Sequence, residues 1–392
     1  MLIFSILFAF FGSFLFGYTT SSISGAIFFI SQQFHLSPLQ EGALVSIILF
    51  GAMVGSSFSA VFRNRRQALM WTGGIYVMGI LLSTVDQFEI LLLGRAINGI
   101  ALGLSSMLVP TYLAEISPAR YRGRIGSMNQ IGMALGLLMA YLIDYFLSGS
   151  GNWQLMLGLG VIPALLLFIG MCFAIEAPIT IQSDEKHGES FRLFDPQFRS
   201  LVLVGVLLSF AQQLTGINVV NYYSPLIFQK VGFNSPSSAA YASIGIGLMS
   251  VLAAFFAAWL IDKWGRIPLL SISLIGMAVT LGIFLTAYPF SSQLLPYFAL
   301  ITLPAYTAFF TIGMGTALWV YLSEMYPSSI RGKAMSLAVF VNWLSNYVIS
   351  LIFPSLVNQW GVNGVFTFFA CACLTMFFFI RKLPETKGKV LL

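Results

Sequence analysis

The sequence predicts an all-α membrane protein of twelve transmembrane helices, arranged as two pseudo-symmetric six-helix bundles. Three observations lead there. Of 392 residues, 58% are hydrophobic and 8% charged, where a soluble domain carries about 25% charged residues. So few charges cannot coat a water-facing sphere. The apolar runs are of helix length, and only helices or closed barrels satisfy their own backbone in lipid. Finally, one motif recurs at a fixed offset in the second half of the chain, which makes the halves copies of one plan.

Between charged or turn-rich breaks, the apolar stretches cover approximately residues 2–30, 41–61, 68–85, 90–114, 124–147 and 153–175. After a polar gap come approximately 200–229, 238–261, 267–288, 294–323, 334–357 and 362–380. Each is close to the ~20 residues a spanning helix needs. The first has neither the basic n-region nor the small-residue cleavage site of a signal peptide, so it is predicted as a mature helix. It begins at Leu2, which is compatible with a short leader upstream. An even number of spans places both termini on one side. Of nineteen Lys and Arg residues, all but Arg95 and Lys230 fall in the connections and tail of that side, and the excess marks it as cytoplasmic, in a plasma or inner membrane. A miscounted span would have mixed the two sides.

The long polar stretch Glu176 to Arg199, with Asp184, Glu185, Lys186, His187 and Glu189, divides the chain near its middle. The expected organisation is a first bundle over 1–176, a short cytoplasmic linker over 177–199, a second bundle over 200–382 and a cytoplasmic tail over 383–392.

Several function classes drop out. The bases are scattered through short connections rather than gathered on a soluble basic face, which excludes a nucleic-acid module. Cys172, Cys371 and Cys373 lie inside apolar runs, and His35 and His187 are far apart in polar connections, so no disulfide framework, metal site or cofactor is expected. No nucleophile, base and metal constellation points to an enzyme.

The repeat carries the positive argument. Tyr112, Leu113, Glu115, Pro118, Arg122 and Gly123 recur as Tyr321, Leu322, Glu324, Pro327, Arg331 and Gly332, every pair 209 residues apart. Each copy follows the fourth span of its half, so the halves are parallel repeats of the kind found in alternating-access carriers. Further motifs are Gly94-Arg95 with Gly99 and Gly103, Pro110-Thr-Tyr112-Leu-Ala-Glu115, and Gln212-Gln213-Leu-Thr-Gly216-Ile-Asn218 with Tyr222-Tyr223. Asp262-Lys263-Trp264-Gly265-Arg266 and Pro384-Glu385-Thr386-Lys387-Gly388 complete the series. In order and number these resemble the sugar porter branch of the major facilitator superfamily, along nearly the whole chain.

Recognising a sugar in a membrane requires amides and hydroxyls, since each buried hydroxyl left unpaired costs about 1–3 kcal/mol. Gln212, Thr215, Asn218 and Tyr222 are spaced to share one face of the seventh span, with Gly216 as a bend. Trp319 and Trp343 are candidates to cover the apolar face of a sugar ring. The resemblance extends the sugar-contacting set to Phe16, Gln130, Gln212, Gln213, Asn218, Tyr222, Gly315, Trp319, Asn342 and Trp343. Ser250 stands where the family has asparagine, and Asn342 where some relatives have glutamine.

Glu115, Arg122, Asp262, Arg266, Glu324 and Arg331 fall at predicted cytoplasmic helix ends, where opposite charges are expected to pair across the two halves as conformational latches. The first-half copy of the loop motif is degraded to Val61, Phe62 and Asn64 before Arg65 and Arg66, and the linker is shorter than the family's. An inward-open resting state is the expected consequence.

In proton-coupled relatives an aspartate follows the Phe-Gly-Tyr of the first span; here Phe16-Gly17-Tyr18 is followed by Thr19, which does not titrate. Thr19 and Arg95, the partner of the missing acid, are the coupling positions. The expectation is a facilitator moving a monosaccharide (a hexose, a pentose or a related polyol) down its gradient, acting as a monomer in the bilayer. The alternatives are a proton symporter using a different acid, such as Glu41 or Asp144, and a sugar receptor that does not transport. Both acids fall near predicted helix ends, where simple solvation is the plainer explanation.

Overall fold

Serine caps and prolines set several helix starts. Ser37 accepts from the Gln40 N–H while Gln40 answers the Ser37 N–H, and Ser235 pairs with Ser238 in the same way. In each case a proline follows directly, its fixed φ suited to the first turn. The computed structural model of the chain describes residues 1–62, 64–118, 122–176, 193–287, 294–327 and 329–387; the side chains of residues 60, 122–124, 126, 127 and 262 are outside that description. The linker core 177–192, with Lys186, His187 and Arg192, is outside it too, as are Arg63, Arg120 and Lys389.

The chain is all helical. In order run α1 (Leu2–Ser21), α2 (Ile23–Phe34), α3 (Pro38–Phe58), α4 (Arg65–Ser83), α5 (Phe88–Ile116), α6 (Arg122–Ser148), α7 (Trp153–Gly158) and α8 (Val161–Phe173). The second half has α9 (Arg199–Leu214), α10 (Ile217–Lys230), α11 (Pro236–Trp264), α12 (Arg266–Ala287), α13 (Leu295–Ile312), α14 (Ala317–Met325) and α15 (Arg331–Ile380). Among the described residues, ten helical stretches are long and apolar enough to cross a membrane. One of them, the 50-residue α15, breaks at Gly361 (φ 68°, ψ 170°) and supplies two passes. The 19-residue α4 adds another; at about 1.5 Å per residue it reaches ~28 Å, near the ~30 Å hydrocarbon thickness.

Four predicted spans are discontinuous. The first divides at Ser22 and the sixth between Gly158 and Val161; the seventh breaks at Thr215–Gly216 and the tenth at Gly313–Thr316. Apolar runs alone did not reveal these breaks, because the residues that make them keep the run uncharged.

One end of the bundle gathers the chain start with residues 64–66, 115 and 175–176: Ser5 Oγ accepts the Ile175 N–H at 2.9 Å, and Arg66 reaches Glu176 at 2.9 Å. We call this the terminal end. At the far end Gln33 bonds the Trp153 indole at 2.8 Å. The halves meet mainly where α3 packs on α15 and α6 on α11. Within the first half, α3 and α5 approach so closely that a Cβ on Gly99 would lie 2.1 Å from the Ile48 carbonyl oxygen. That approach explains Gly99 and Gly103 of the motif and seats Arg95 against α3, while Gly94 faces α4, where a Cβ would lie 2.4 Å from the Ser83 nitrogen.

Candidate functional site

The site grows from the break in the seventh span. Gly216 adopts φ 81°, in the left-handed region, so α9 stops at Leu214 and α10 restarts at Ile217. A Cβ there would also lie 2.3 Å from the Phe369 ring. Replacing Gly216 with alanine is expected to cost about 1–2 kcal/mol in backbone strain, plus the shift of Phe369; a drop of several degrees in the thermal midpoint of the detergent-purified variant checks it.

The break corrects the single-face expectation. Gln212, Thr215, Asn218 and Tyr222 do not lie along one continuous helix. The Thr215 hydroxyl turns back to the Gln212 carbonyl at 2.6 Å, and its own carbonyl accepts from the Tyr306 hydroxyl, so Thr215 serves the break. Gln213 takes the central place instead. Its Nε2 donates to Asn342 Oδ1 at 3.1 Å and to Gln212 Oε1 at 3.3 Å, and its Oε1 accepts from Asn218 Nδ2 at 2.8 Å. Asn342 Nδ2 donates to Gln212 Oε1 at 2.6 Å and to the Ser209 carbonyl at 3.1 Å. Gln212 Nε2 reaches the Met314 carbonyl at 2.7 Å. The break at Gly313–Thr316 exposes that carbonyl, since Met314 lies outside α13 and α14.

The result is a network of four amides joining α9, α10 and α15. Gln212, Gln213 and Asn342 are buried and Asn218 is partly exposed. Amides both donate and accept, so the same groups can exchange their mutual bonds for those of a polyhydroxylated ligand. Tyr222 is buried beside the network, and its hydroxyl accepts from Asn346 Nδ2 at 3.3 Å. Asn346 went unnoticed in the sequence; it lies one helical turn after Asn342, and that spacing was the available signal. Trp343, next to Asn342, faces Phe16 of α1 with ring centroids 5.9 Å apart, an aromatic contact between the halves. Phe16, Gln130, Gly315 and Trp319 are partly exposed. Ser250, buried, spends its hydroxyl on the Ile246 carbonyl at 2.8 Å.

Thr19 and Arg95, the expected coupling positions, are both buried. Thr19 Oγ1 donates to the Leu15 carbonyl at 2.7 Å. Arg95 donates from Nε to the Leu44 carbonyl at 2.7 Å and from a terminal nitrogen to the Val45 carbonyl at 3.4 Å, and no carboxylate pairs with it among the described residues. Helix α3 carbonyls hold the guanidinium.

The charged helix ends differ from the expected cross-half pairing. Arg65 meets Glu115 at 3.7 Å within the first half, and Arg266 grips Glu324 at 3.0 and 2.7 Å within the second. Arg331 Nε donates to the Tyr326 carbonyl at 3.1 Å. The side chains of Arg122 and Asp262 lie outside the described residues. Each motif places its acid and base on neighbouring helix ends of the same half, which is why the pairs close locally. Two cross-half hydrogen bonds, Tyr141 Oη to the Asn221 carbonyl at 2.6 Å and Ser148 Oγ to Ser237 Oγ at 2.8 Å, are toward the far end.

Glu385 extends the terminal-end network. Its carboxylate accepts the N–H groups of Arg266 at 3.0 Å and Ile267 at 2.9 Å, capping the start of α12, and those of Thr386 and Lys387 at 3.0 Å each. Burial pushes this carboxyl up, but the four N–H donors outweigh it and hold the group below the usual carboxylate range. Because the folded value is depressed, the stabilisation is complete above the unfolded carboxylate value and is lost as pH falls through the folded one. Acid melting of wild type against Glu385→Gln should show a steeper loss of thermal midpoint for wild type in that window.

The comparisons with known proteins agree with this architecture. The family model described as "Sugar (and other) transporter" matches residues 5–195 and 180–392. The chain is 34% identical to a D-xylose transporter of Levilactobacillus brevis, over 97% of this chain and 92% of that protein. It is 32% identical to the galactose-proton symporter of Escherichia coli K12, over 95% and 89%. Among solved structures, the inward-open conformation of the xylose transporter XylE from Escherichia coli superposes with a TM-score of 0.86 at 28% identity, covering 100% of this chain and 98% of that one. A D-xylose-proton symporter structure matches with a TM-score of 0.86 at 31% identity, covering 100% of both chains. With a family model spanning both halves and relatives aligned almost end to end, the chain belongs to the sugar porter family of the major facilitator superfamily and is a multi-pass membrane transporter rather than an enzyme.

Proposed function

We propose that the protein carries a monosaccharide across the membrane by alternating access, in symport with protons. The observation that supports the sugar most directly is the buried amide network of Gln212, Gln213, Asn218 and Asn342, flanked by the Phe16–Trp343 ring pair. Amide edges suit sugar hydroxyls and aromatic faces suit the C–H face of the ring. On this reading Gln130, Tyr222, Gly315 and Trp319 complete the sugar contacts. The terminal end faces the cytoplasm, as the positive-inside bias requires, residues 1–176 and 200–382 rock as two bundles, and one copy suffices.

Thr19 alone favours uniport. Symport is preferred because the galactose-proton symporter and the D-xylose-proton symporter are similar to this chain over nearly its full length, and because a fully buried acid, Asp144, offers a titratable group elsewhere. Far-end hydrogen bonds between the halves, combined with ion pairs that close inside each half, suit an inward-open arrangement with its latches parted.

The test is uptake of labelled D-xylose, glucose, galactose and myo-inositol into proteoliposomes. Saturable uptake of at least one, competed by the others in graded order, is expected. Sugar binding with no uptake would replace the transporter reading by a receptor, and no binding of any of the four would overturn the monosaccharide.

A further inference from the structure

Asp144 is one turn from the end of α6, a position that on sequence suggests a solvated acid, yet it is 1% exposed. Its Oδ2 accepts the Gly25 N–H at 2.9 Å and the Ser24 hydroxyl at 3.2 Å. Its Oδ1 has no hydrogen-bond partner among the described residues. The carboxyl is packed onto Gly25, where a Cβ would lie 2.5 Å from Asp144 Cγ. It lines a small crevice between the two halves, walled by Ser24 and Gly25 of α2 on one side and by Pro225, Gln229 and Ala240 of α10 and α11 on the other. The crevice has room for about one water molecule. Around it the seam is shut by the Tyr141–Asn221 and Ser148–Ser237 hydrogen bonds and by the Tyr145–Tyr241 ring pair at 5.5 Å.

Among the described residues no cation pairs with Asp144: Arg95 of α5, which packs against α6, is held by the Leu44 and Val45 carbonyls instead. Helices α2 and α7 contain no titratable residue. Helix α1 contributes Tyr18 and α6 itself Tyr141, both close enough to feel the carboxyl's charge, and their hydroxyls are spent on the Met156 and Asn221 carbonyls. The facing helices also carry Tyr145 of α6, Tyr222 and Tyr223 of α10 and Tyr241 of α11, the Tyr223 hydroxyl being spent on the Ser350 carbonyl, and Lys230, at the end of α10, is exposed. A carboxylate with one unpaired oxygen and no neighbouring cation is far costlier to bury than the neutral acid.

We propose that Asp144 is a proton-binding site of the far-side seam: it holds a proton while the seam is closed, releases it to far-side water when α2 and α6 part from α10 and α11, and must take one up before the seam shuts. Closing forms the O–H bond at the carboxyl with a proton drawn from that water, so the closed state gains over the open one as far-side pH falls and loses as it rises. The inference rests on alternating access but not on symport, since a seam proton can gate a passive carrier as well.

The test is accessibility. Ala240→Cys places a thiol on the crevice wall, and a membrane-impermeant maleimide added from the far side is read at residue 240 by peptide mass, over pH 6 to 8, with and without Asp144→Asn. The ratio of the two rates cancels the thiol's own titration. It is expected to rise with pH, approaching tenfold per pH unit, the limit for one proton. Asp144→Glu, which keeps a titratable carboxyl, should retain the rise with a displaced midpoint, and it decides the matter if Asp144→Asn fails to assemble. A flat ratio, or a glutamate variant with an unmoved midpoint, would overturn the proposal. Sugar accumulation under a pH gradient is scored separately: its absence defeats symport and leaves the labelling result standing, while accumulation with a flat ratio defeats only the seam site.

Discussion

Gln213→Ala should sharply weaken the affinity of saturable sugar uptake while leaving the protein folded. Gln213 is the one side chain bonded to three others of the network, Gln212, Asn218 and Asn342. Truncation removes the amide that would meet the sugar and strands Asn218 Nδ2 and Asn342 Oδ1, each at a cost of about 1–3 kcal/mol when buried without a partner. Water entering the gap relieves part of this, so the expected loss in sugar affinity is about 10–100-fold. Gln213→Asn keeps the chemistry on a shorter arm and should fall between. Counterflow kinetics in proteoliposomes separate affinity from rate; an unchanged half-saturation in the alanine variant would remove this network from the sugar site.

Arg266→Ala is expected to produce the largest stability loss among the charged positions. The guanidinium makes two parallel bonds to Glu324, at 3.0 and 2.7 Å, with side chains only 14% and 22% exposed. Thr386 Oγ1 donates to the same carboxylate at 2.6 Å, and Glu385 caps the helix that begins at Arg266. Paired, bidentate and mostly shielded, such a bridge is worth more than a surface pair, and its removal leaves Glu324 with the Thr386 hydroxyl alone. About 1–3 kcal/mol is expected, less than for a fully buried pair because solvent still screens it. Arg266→Lys should rescue only partly, lacking the planar fork. Thermal melting of the two variants checks the order; equal midpoints for wild type and alanine would mean that the pair contributes orientation only.

Much of the fold was legible because lipid imposes a blunt rule: apolar length becomes helices, and scattered bases set their direction. The halves were legible through the recurring Tyr112-to-Gly123 segment. The division at Gly361 was legible as well, because the predicted spans 334–357 and 362–380 part there, and Gly216 was marked as a bend. The full break at Thr215–Gly216 and the one at Gly313–Thr316 were not, since glycine interrupts a helix without interrupting hydropathy, and so the face assigned to Gln212, Thr215, Asn218 and Tyr222 was drawn on a helix that does not continue. Gln213 and Asn342 had been reached by resemblance; their mutual bonds, and Asn346 with Tyr222, depend on three helices meeting. The charged motifs named the right residue types for pairing but not the partners: Arg65 and Arg266 serve acids of their own half. Asp144 shows the limit most clearly. Its distance from a helix end suggested water, and only the packing of α2 on one side and of α10 and α11 on the other makes it buried.

Proton-coupled monosaccharide transport is tested most directly by uptake of labelled D-xylose and galactose into proteoliposomes with an imposed inward proton gradient and no membrane potential. Accumulation above the external concentration, collapsing when a protonophore is added, is the predicted result. Uptake that stops at equal concentrations on the two sides, with or without the gradient, would contradict symport and return the protein to the facilitator that Thr19 suggests.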